Sequence, residues 1–355
     1  MRTLMKGNDA VSEAAIRAGC RFFSGYPITP QSEIVEYMSW RMEEAGGSFV
    51  QSESELSGIS MIYGAAACGL RTMGSSSGPG FDLIQEGIGY IVSAELPTLI
   101  VDVVRYGNGL GEIVPAQSDY WQVVKNGAHG DYHCLVFAPA SVQEAVDLVG
   151  HAYDKAEEYK NPAILYYDGA IGQMMEPIVL PEMKEHDPDQ FSWSIKGRGG
   201  EPQKQVTSKC YYEYTTPEAY VENLQTKYAA IEKNEQMWES YLTEDADLIF
   251  VAYGIMSRTC KEAINVARKQ GIKVGMIRPI TLYPYPVKAF ETLPETLKGV
   301  ISVEMSALGQ MVEDVRLAVN GRKPVFNYAT GKMIPDTEEF ISYMKNVLEG
   351  KEESV

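Results

Sequence analysis

The 355-residue chain holds only five cysteines, Cys20, Cys68, Cys134, Cys210 and Cys260, and no two of them stand in a C-x-x-C arrangement. That scatter argues against an iron–sulfur cluster or a structural zinc held by this chain alone, because both need clustered thiolates. The five read instead as small buried side chains in a reducing compartment. Positive charge is scarce as well: 31 Lys and Arg stand against 48 Asp and Glu, a formal net charge of −17. The summed field repels polyanions, so nucleic acid and acidic membrane surfaces are poor partners. Long apolar runs are missing. The most apolar stretch, Tyr90 to Val104, is broken by Glu95, Pro97 and Asp102, and the N-terminal MRTLMKGNDAVSEA has no apolar segment of the signal-peptide kind. The expectation is a cytoplasmic protein with no membrane segment. There is no Walker A sequence, and YGNGLGE is not G-x-G-x-x-G, because position 112 is Glu. His129 and His133 stand four apart beside Cys134, but Gly127 and Gly130 break up the segment, so no metal site is expected there.

What is present alternates. Cys20 to Ser24, Pro97 to Val104 and Pro162 to Tyr167 are apolar, rich in β-formers and of strand length; weaker runs lie at Phe49 to Gln51, Arg71 to Ser75 and Cys134 to Ala138. Amphipathic stretches of helical length fall between them, near 8–18, 30–45, 54–69, 80–93 and 141–160. Such alternation implies βαβ crossovers and a mainly parallel sheet. From Gln173 to about Ala246 the sequence turns to mixed charge, proline and tyrosine, with one helix expected near 217–241. DLIFVAYG, KVGMIRPI, GVISVEM and PVFNY then resume the strand pattern, separated by helical stretches at Ser257 to Gln270 and Gly309 to Asn320 and closed by one near 336–349. The fold expected is α/β, with a larger domain over 1–180, a connector over 181–245 and a smaller α/β domain over 246–350.

Ligands of open parallel sheets bind beyond the carboxyl ends of the strands. Four unusual segments directly follow expected strands: Gly25 to Pro30, Ser52 to Glu55, Ser76 to Gly80 and Arg105 to Glu112. Thr29, ahead of Pro30, reads as the N-cap of the helix near 30–45, a place that also suits a substrate carboxylate. Ser52 to Glu55 has the S-x-x-E pattern of a capping box. The helix after it, however, carries Ser57, Gly58, Ser60, Gly64, Ala65, Ala66, Ala67 and Gly69, small residues that let a second backbone or a flat ligand come close. Ser77-Gly78-Pro79-Gly80 suits an anion cradle or a tight turn, and Arg105 suits a ligand carboxylate or a structural ion pair. The residues alone leave these alternatives open.

GYPITPQSE, QSESELSGISMIYGA, SSSGPGFDL and LPTLIVDVVR occur in the order seen in the alpha-type subunit of 2-oxoacid:ferredoxin oxidoreductases, which the chain resembles over nearly its whole length. VAYGIMSRT and IRPITLYPYP resemble the family's transketolase C-terminal-like domain. The likeness points to the branched-chain (3-methyl-2-oxobutanoate) enzyme, with the 2-oxoglutarate enzyme as neighbour. The resemblance implies that 1–180 is a thiamine diphosphate-binding domain of the pyrimidine type. It implies further that Glu55 bonds the pyrimidine ring nitrogen, and Gly64, nine positions on, favours Glu55 over Glu53 for that role. Thr29 and Arg105 are expected to hold the substrate's carboxylate and keto oxygen, with Tyr26, Pro27, Ser77 and Gly78 beside the cofactor. The implied reaction is oxidative decarboxylation of a 2-oxoacid to its acyl-coenzyme A with reduction of ferredoxin. The G-D-G motif that would hold diphosphate and magnesium is missing; the chain has only His129-Gly130-Asp131 and Asp168-Gly169-Ala170. Mg2+, iron–sulfur clusters and coenzyme A are therefore expected mainly on partners: a diphosphate-binding beta-type subunit, a gamma-type subunit and a ferredoxin-like delta-type subunit. The readings left beside this one are a thiamine enzyme of another reaction type and a non-catalytic α/β scaffold subunit in which Ser52 and Glu55 only cap a helix.

Overall fold

The computed structural model describes residues 2–197, 199, 204–214, 216–331 and 334–355. Residues 198, 200–203 and 215 of the expected connector lie outside them. In chain order the first elements are β1 (Thr3–Lys6), α1 (Gly7–Arg17), β2 (Cys20–Gly25), α2 (Ser32–Glu44), β3 (Ser48–Gln51), α3 (Glu55–Ala67), β4 (Arg71–Ser76) and α4 (Pro79–Ser93). There follow β5 (Leu99–Tyr106), β6 (Glu112–Pro115), α5 (Tyr120–Val124), β7 (Leu135–Phe137), α6 (Val142–Tyr159), β8 (Ala163–Asp168), α7 (Gly169–Gln173) and β9 (Met175–Ile178). The rest comprises α8 (Lys209–Tyr212), α9 (Pro217–Asn234), β10 (Trp238–Tyr241), β11 (Leu248–Val251), α10 (Gly254–Lys269), β12 (Val274–Pro279), β13 (Thr281–Tyr283), β14 (Gly299–Glu304), α11 (Val312–Val319), β15 (Val325–Ala329) and α12 (Thr337–Leu348).

The main sheet runs β13-β7-β8-β5-β4-β2-β3, parallel from β7 to β3 and closed by antiparallel β13, with β6 folded back on β5. β5 sits in the middle because all but its last residue are buried, as a strand covered on both faces requires. After β2 the chain moves outward to β3 and then returns across β2 to β4. This reversal makes a crevice beyond the carboxyl ends of β2 and β4. The second sheet runs β10-β12-β11-β14-β15 and is parallel except for β10.

Three elements differ from the sequence expectation. The helix expected near 217–241 stops at Asn234, and Trp238–Tyr241 pairs antiparallel with β12. Glu235 is the C-cap and turns inward, where its carboxylate accepts from Lys155 Nζ (3.0 Å) and Tyr159 Oη (2.7 Å). β1 and β9 form a separate antiparallel pair. The glycines after Arg105 belong to a β5–β6 hairpin, where Gly107, Gly109 and Gly111 adopt φ of 92°, 60° and 63°. Of the free cysteines, Cys20, Cys134 and Cys260 are buried as expected, whereas Cys68, at the end of α3, is exposed. Among the described residues, no helix is long and apolar enough to cross a membrane.

Helix α9 is tied to the main sheet by a buried ion pair. Lys227 Nζ donates to Glu95 Oε1 at 2.6 Å and Asn223 Nδ2 donates to the same oxygen at 3.0 Å. Burial alone would raise the Glu95 carboxyl, but Lys227 and Asn223 outweigh it and hold the group below its ordinary value. Removing one partner of such a pair leaves an uncompensated buried charge, so Glu95→Gln should cost about 3 kcal/mol. The Glu95 contribution is complete above the ordinary glutamate pKa of about 4.3 and is lost as pH falls through the lowered value. Urea unfolding should therefore separate Glu95→Gln from wild type at pH 7, and the difference should shrink as pH falls below the ordinary glutamate value.

Candidate functional site

The crevice at the reversal point collects loops from β2, β3, β4 and β5. The first, Tyr26 to Gln31, is fixed by the fully buried Gln31. Its Nε2 donates to Tyr26 O (2.9 Å), and its Oε1 accepts from Ser75 Oγ (2.7 Å) on β4. Because Gln31 occupies the N-cap position and α2 begins at Ser32, Thr29 does not cap that helix. It stands exposed in the loop, its carbonyl accepting from Arg105 Nη1 at 3.0 Å. Tyr26 and Pro27 are exposed at the rim.

The capping box read from Ser52 and Glu55 is not formed. Ser52 N–H donates to Gly25 O (3.1 Å), continuing the β2–β3 pairing, so Ser52 comes too early to cap. Ser54 is the N-cap and accepts from Ser57 N–H at 3.4 Å. Glu55 is thus the first helical residue, 7% exposed, and lines a narrow cleft with Gly25, Tyr26, Gly58 and Ser75. Its Oε1 lies 2.2 Å from the point where a Cβ on Gly80 would stand, and Ser76 Oγ lies 2.4 Å from the same point. The carboxyl occupies its place only because position 80 has no side chain.

Arg105, at the end of β5, is 7% exposed. Its Nη1 and Nη2 donate to the carbonyls of Thr29 and Leu110 (2.6 Å for the latter), while its buried Nε finds no partner. The structural ion pair is absent: no carboxylate among the described residues lies within bonding distance of this guanidinium. Gly78, at φ 48°, passes directly under it, for a Cβ there would fall 2.9 Å from Nε. Ser77 beside it is fully buried with an unbonded hydroxyl. The crevice therefore brings Glu55, Arg105, Thr29, Tyr26, Pro27, Ser77 and Gly78 together. Gln31, which reading the sequence did not single out, and Ser76 and Gly80, which it grouped in the loop after β4 without a role at Glu55, set their positions. His133 stays apart, stacked on Tyr283 (4.0 Å between ring centroids) with Nδ1 3.0 Å from Val124 O.

Helices α3 and α4 also expose apolar side chains. Leu56, Met61, Leu83 and Tyr90 are 50%, 38%, 52% and 61% exposed, and a Cβ on Gly64 would meet no atom within 4 Å. The small residues of α3 divide accordingly. Gly58 packs inward, where a Cβ would reach Ser52 Oγ at 3.0 Å, while Gly64 leaves the outer face open.

These features fit the pyrimidine side of thiamine diphosphate: a buried carboxyl at a helix start, kept in the cleft by the missing Cβ of Gly80 and flanked by unbonded serine hydroxyls. They do not fit its diphosphate side. Asp168 is used as an N-cap, accepting from Ala170 N–H at 2.8 Å, and no group of three potential metal ligands occurs among the described residues. The class defined is an α/β protein with a thiamine diphosphate-binding domain. Residues 13–240 match the family described as pyruvate flavodoxin/ferredoxin oxidoreductase, thiamine diphosphate-binding, and residues 246–334 match pyruvate:ferredoxin oxidoreductase core domain II. The ketoisovalerate oxidoreductase subunit VorB of Methanothermobacter marburgensis is 49% identical over 316 residues, covering 89% of this chain and 89% of that protein. A solved 2-oxoglutarate:ferredoxin oxidoreductase from Magnetococcus marinus superposes with a TM-score of 0.83 at 25% identity, covering 98% of this chain; the present chain spans 65% of that one. A split-gene transketolase shares the fold at a TM-score of 0.61 and 15% identity, over 97% of this chain and 98% of that one. The chain belongs to the 2-oxoacid:ferredoxin oxidoreductase family, as a subunit of an enzyme that works as a multi-subunit complex.

Proposed function

We propose that this chain supplies the pyrimidine half of a shared active site for the coenzyme A-dependent oxidative decarboxylation of a branched-chain 2-oxoacid, 3-methyl-2-oxobutanoate, with ferredoxin as electron acceptor. The observation that carries the proposal is the buried Glu55 carboxyl held in the cleft by Gly80. Bound there, thiamine diphosphate supplies the electron sink for loss of carbon dioxide. Glu55 holds a proton on its carboxyl against the pyrimidine ring nitrogen. Arg105, buried with no carboxylate at salt-bridge distance among the described residues, offers its guanidinium to the substrate's carboxylate, and the Thr29 hydroxyl bonds the keto oxygen. Tyr26 and Pro27 close the rim over the cofactor, and Ser77 and Gly78 form its floor beneath Arg105. The substrate assignment follows the 49% identity to a ketoisovalerate enzyme; 2-oxoglutarate is the alternative. A scaffold role rested on Ser52 and Glu55 as a cap, a task that Ser54 performs.

The exposed apolar side chains of α3 and α4 are where a beta-type subunit carrying the diphosphate and magnesium half would dock, with gamma-type and ferredoxin-like delta-type subunits completing the complex. A cytoplasmic location belongs to the same reading, since five free thiols, Cys68 exposed among them, suit a reducing compartment. The test is to co-purify the chain with its partners and measure dye or ferredoxin reduction with coenzyme A present. Turnover should be higher on 3-methyl-2-oxobutanoate than on 2-oxoglutarate, and the chain alone should show none. Equal or reversed preference would overturn the substrate assignment.

A further inference from the structure

Buried polar groups nearly always find hydrogen-bond partners. Several exceptions in this chain line up in one row. Ser76 on β4 is in register with Asp102 on β5, and Asp102 with Tyr166 on β8. Side chains in register on neighbouring strands share a face and stand ~4.8 Å apart. All three residues are at most 1% exposed; among the described residues Ser76 Oγ and both Asp102 oxygens bond no protein group, and Tyr166 Oη has only the hydroxyl of Tyr253 beside it. The row faces α3, because Gly74, two residues before Ser76, would drive a Cβ into Ile62 of that helix. Its near end is the candidate site itself: Ser76 Oγ and Glu55 Oε1 both lie against Gly80, within reach of each other through one bridging water. Its far end is the Tyr166 ring, 6.0 Å from that of Tyr253.

The charges around Asp102 come from several elements. Asp82 faces it from α4 and Asp119 from the turn before α5, while Tyr166 and Tyr253 are neutral. Burial first, then Asp119 and Asp82, push the Asp102 carboxyl well above its ordinary value. Asp119 is raised to about 7 by burial and Asp82, with Arg105 drawing it partly back.

We propose that Asp102 stores a proton for Glu55 and delivers it through the hydroxyl of Ser76, which makes Asp102 a positioning residue for the acid at the pyrimidine side of the site. The inference rests on the role given to Glu55 above. After Glu55 has given up its proton, the Ser76 O–H bond breaks as its proton passes through one bridging water to Glu55 Oε1. The Asp102 O–H bond breaks in turn, and its proton crosses a second bridging water to restore the Ser76 hydroxyl. Glu55 ends as a neutral acid and Asp102 as a carboxylate, to which Tyr166 Oη can donate; no electrons move. Asp119, the partly exposed member, recharges Asp102 from solvent. Such a route matters because Glu55 itself is nearly shut off from water.

Infrared spectroscopy of the full chain, without cofactor, provides the first test. The protonated-carboxyl band at pH 7, to which Asp119 and Glu304 also contribute, should lose the intensity of one carboxyl in Asp102→Asn, which keeps the size and neutrality of the acid and so the fold. A band unchanged by Asp102→Asn overturns the proposal. In the complex loaded with thiamine diphosphate, deuterium exchange at the thiamine C2 should slow roughly tenfold or more in both Asp102→Asn and Ser76→Ala. The pH profile of exchange should flatten near pH 7, with KM for the 2-oxoacid unchanged. If Glu55→Gln slows exchange while Asp102→Asn and Ser76→Ala do not, the proton route fails and the Glu55 assignment stands. If Glu55→Gln also leaves exchange intact, the assignment itself fails.

Discussion

Glu55→Gln, reconstituted with its partner subunits, should lose roughly 10²- to 10⁴-fold in kcat, the range for removal of a positioned general acid or base. The amide nearly matches the carboxyl in size and fits beside Gly80, so the cleft keeps its shape, but its N–H protons are too weakly acidic to be transferred. Helix α3 keeps its N-cap at Ser54. A neutral amide takes the place of a neutral acid in the first turn, so the helix loses no charge there and the chain should stay folded. KM for the 2-oxoacid should hardly move, because the substrate's carboxylate is assigned to Arg105. Steady-state ferredoxin reduction together with a melting curve measures both halves of this expectation. A Glu55→Gln complex with wild-type kcat would remove Glu55 from the chemistry.

The strands of the main sheet were legible because a strand covered on both faces is an apolar run whatever its neighbours. The position of the site was legible for a related reason: loops after parallel strands converge, so Gly25, Ser52, Ser76 and Arg105 could be grouped before any contact was known. What sequence did not reveal depends on partners distant in the chain. Trp238–Tyr241 and Thr281–Tyr283 are short segments that become strands only by pairing with Met276–Pro279 and Val136–Phe137. Ser52 has the pattern of a cap, but its N–H is engaged with Gly25 O, and that bond to a strand 27 positions earlier in the chain shifts the cap to Ser54. Thr29 is displaced from the helix end by Gln31, whose side chain is fixed by Ser75. Asp102 was visible as an acid within an apolar strand. Its significance lies in cross-strand neighbours, Ser76 and Tyr166, that leave it unbonded.

Gly80→Ala isolates the geometry of the carboxyl from its chemistry. The new methyl group would fall 2.2 Å from Glu55 Oε1 and 2.4 Å from Ser76 Oγ, distances no real contact allows. Both obstructing atoms end side chains that can rotate, so the backbone has no need to move. Gly80 lies in the first turn of α4, and Ala is the better helix former there by up to about 1 kcal/mol. Folding stability should accordingly stay the same or rise slightly. The Glu55 carboxyl, however, must leave its place beside β4, and a displacement of about 1 Å at a reacting group is enough to cost 10²-fold. Gly80→Ala should therefore approach Glu55→Gln in lost kcat while melting at or above the wild-type temperature, and the double variant should be little worse than either single one. Two independent losses that multiply would mean that Gly80 acts on something other than Glu55. A destabilised Gly80→Ala chain would mean that the helix rather than the carboxyl gives way. The cleft is thus a test of whether one absent side chain, far from any polar chemistry of its own, determines where the acid stands.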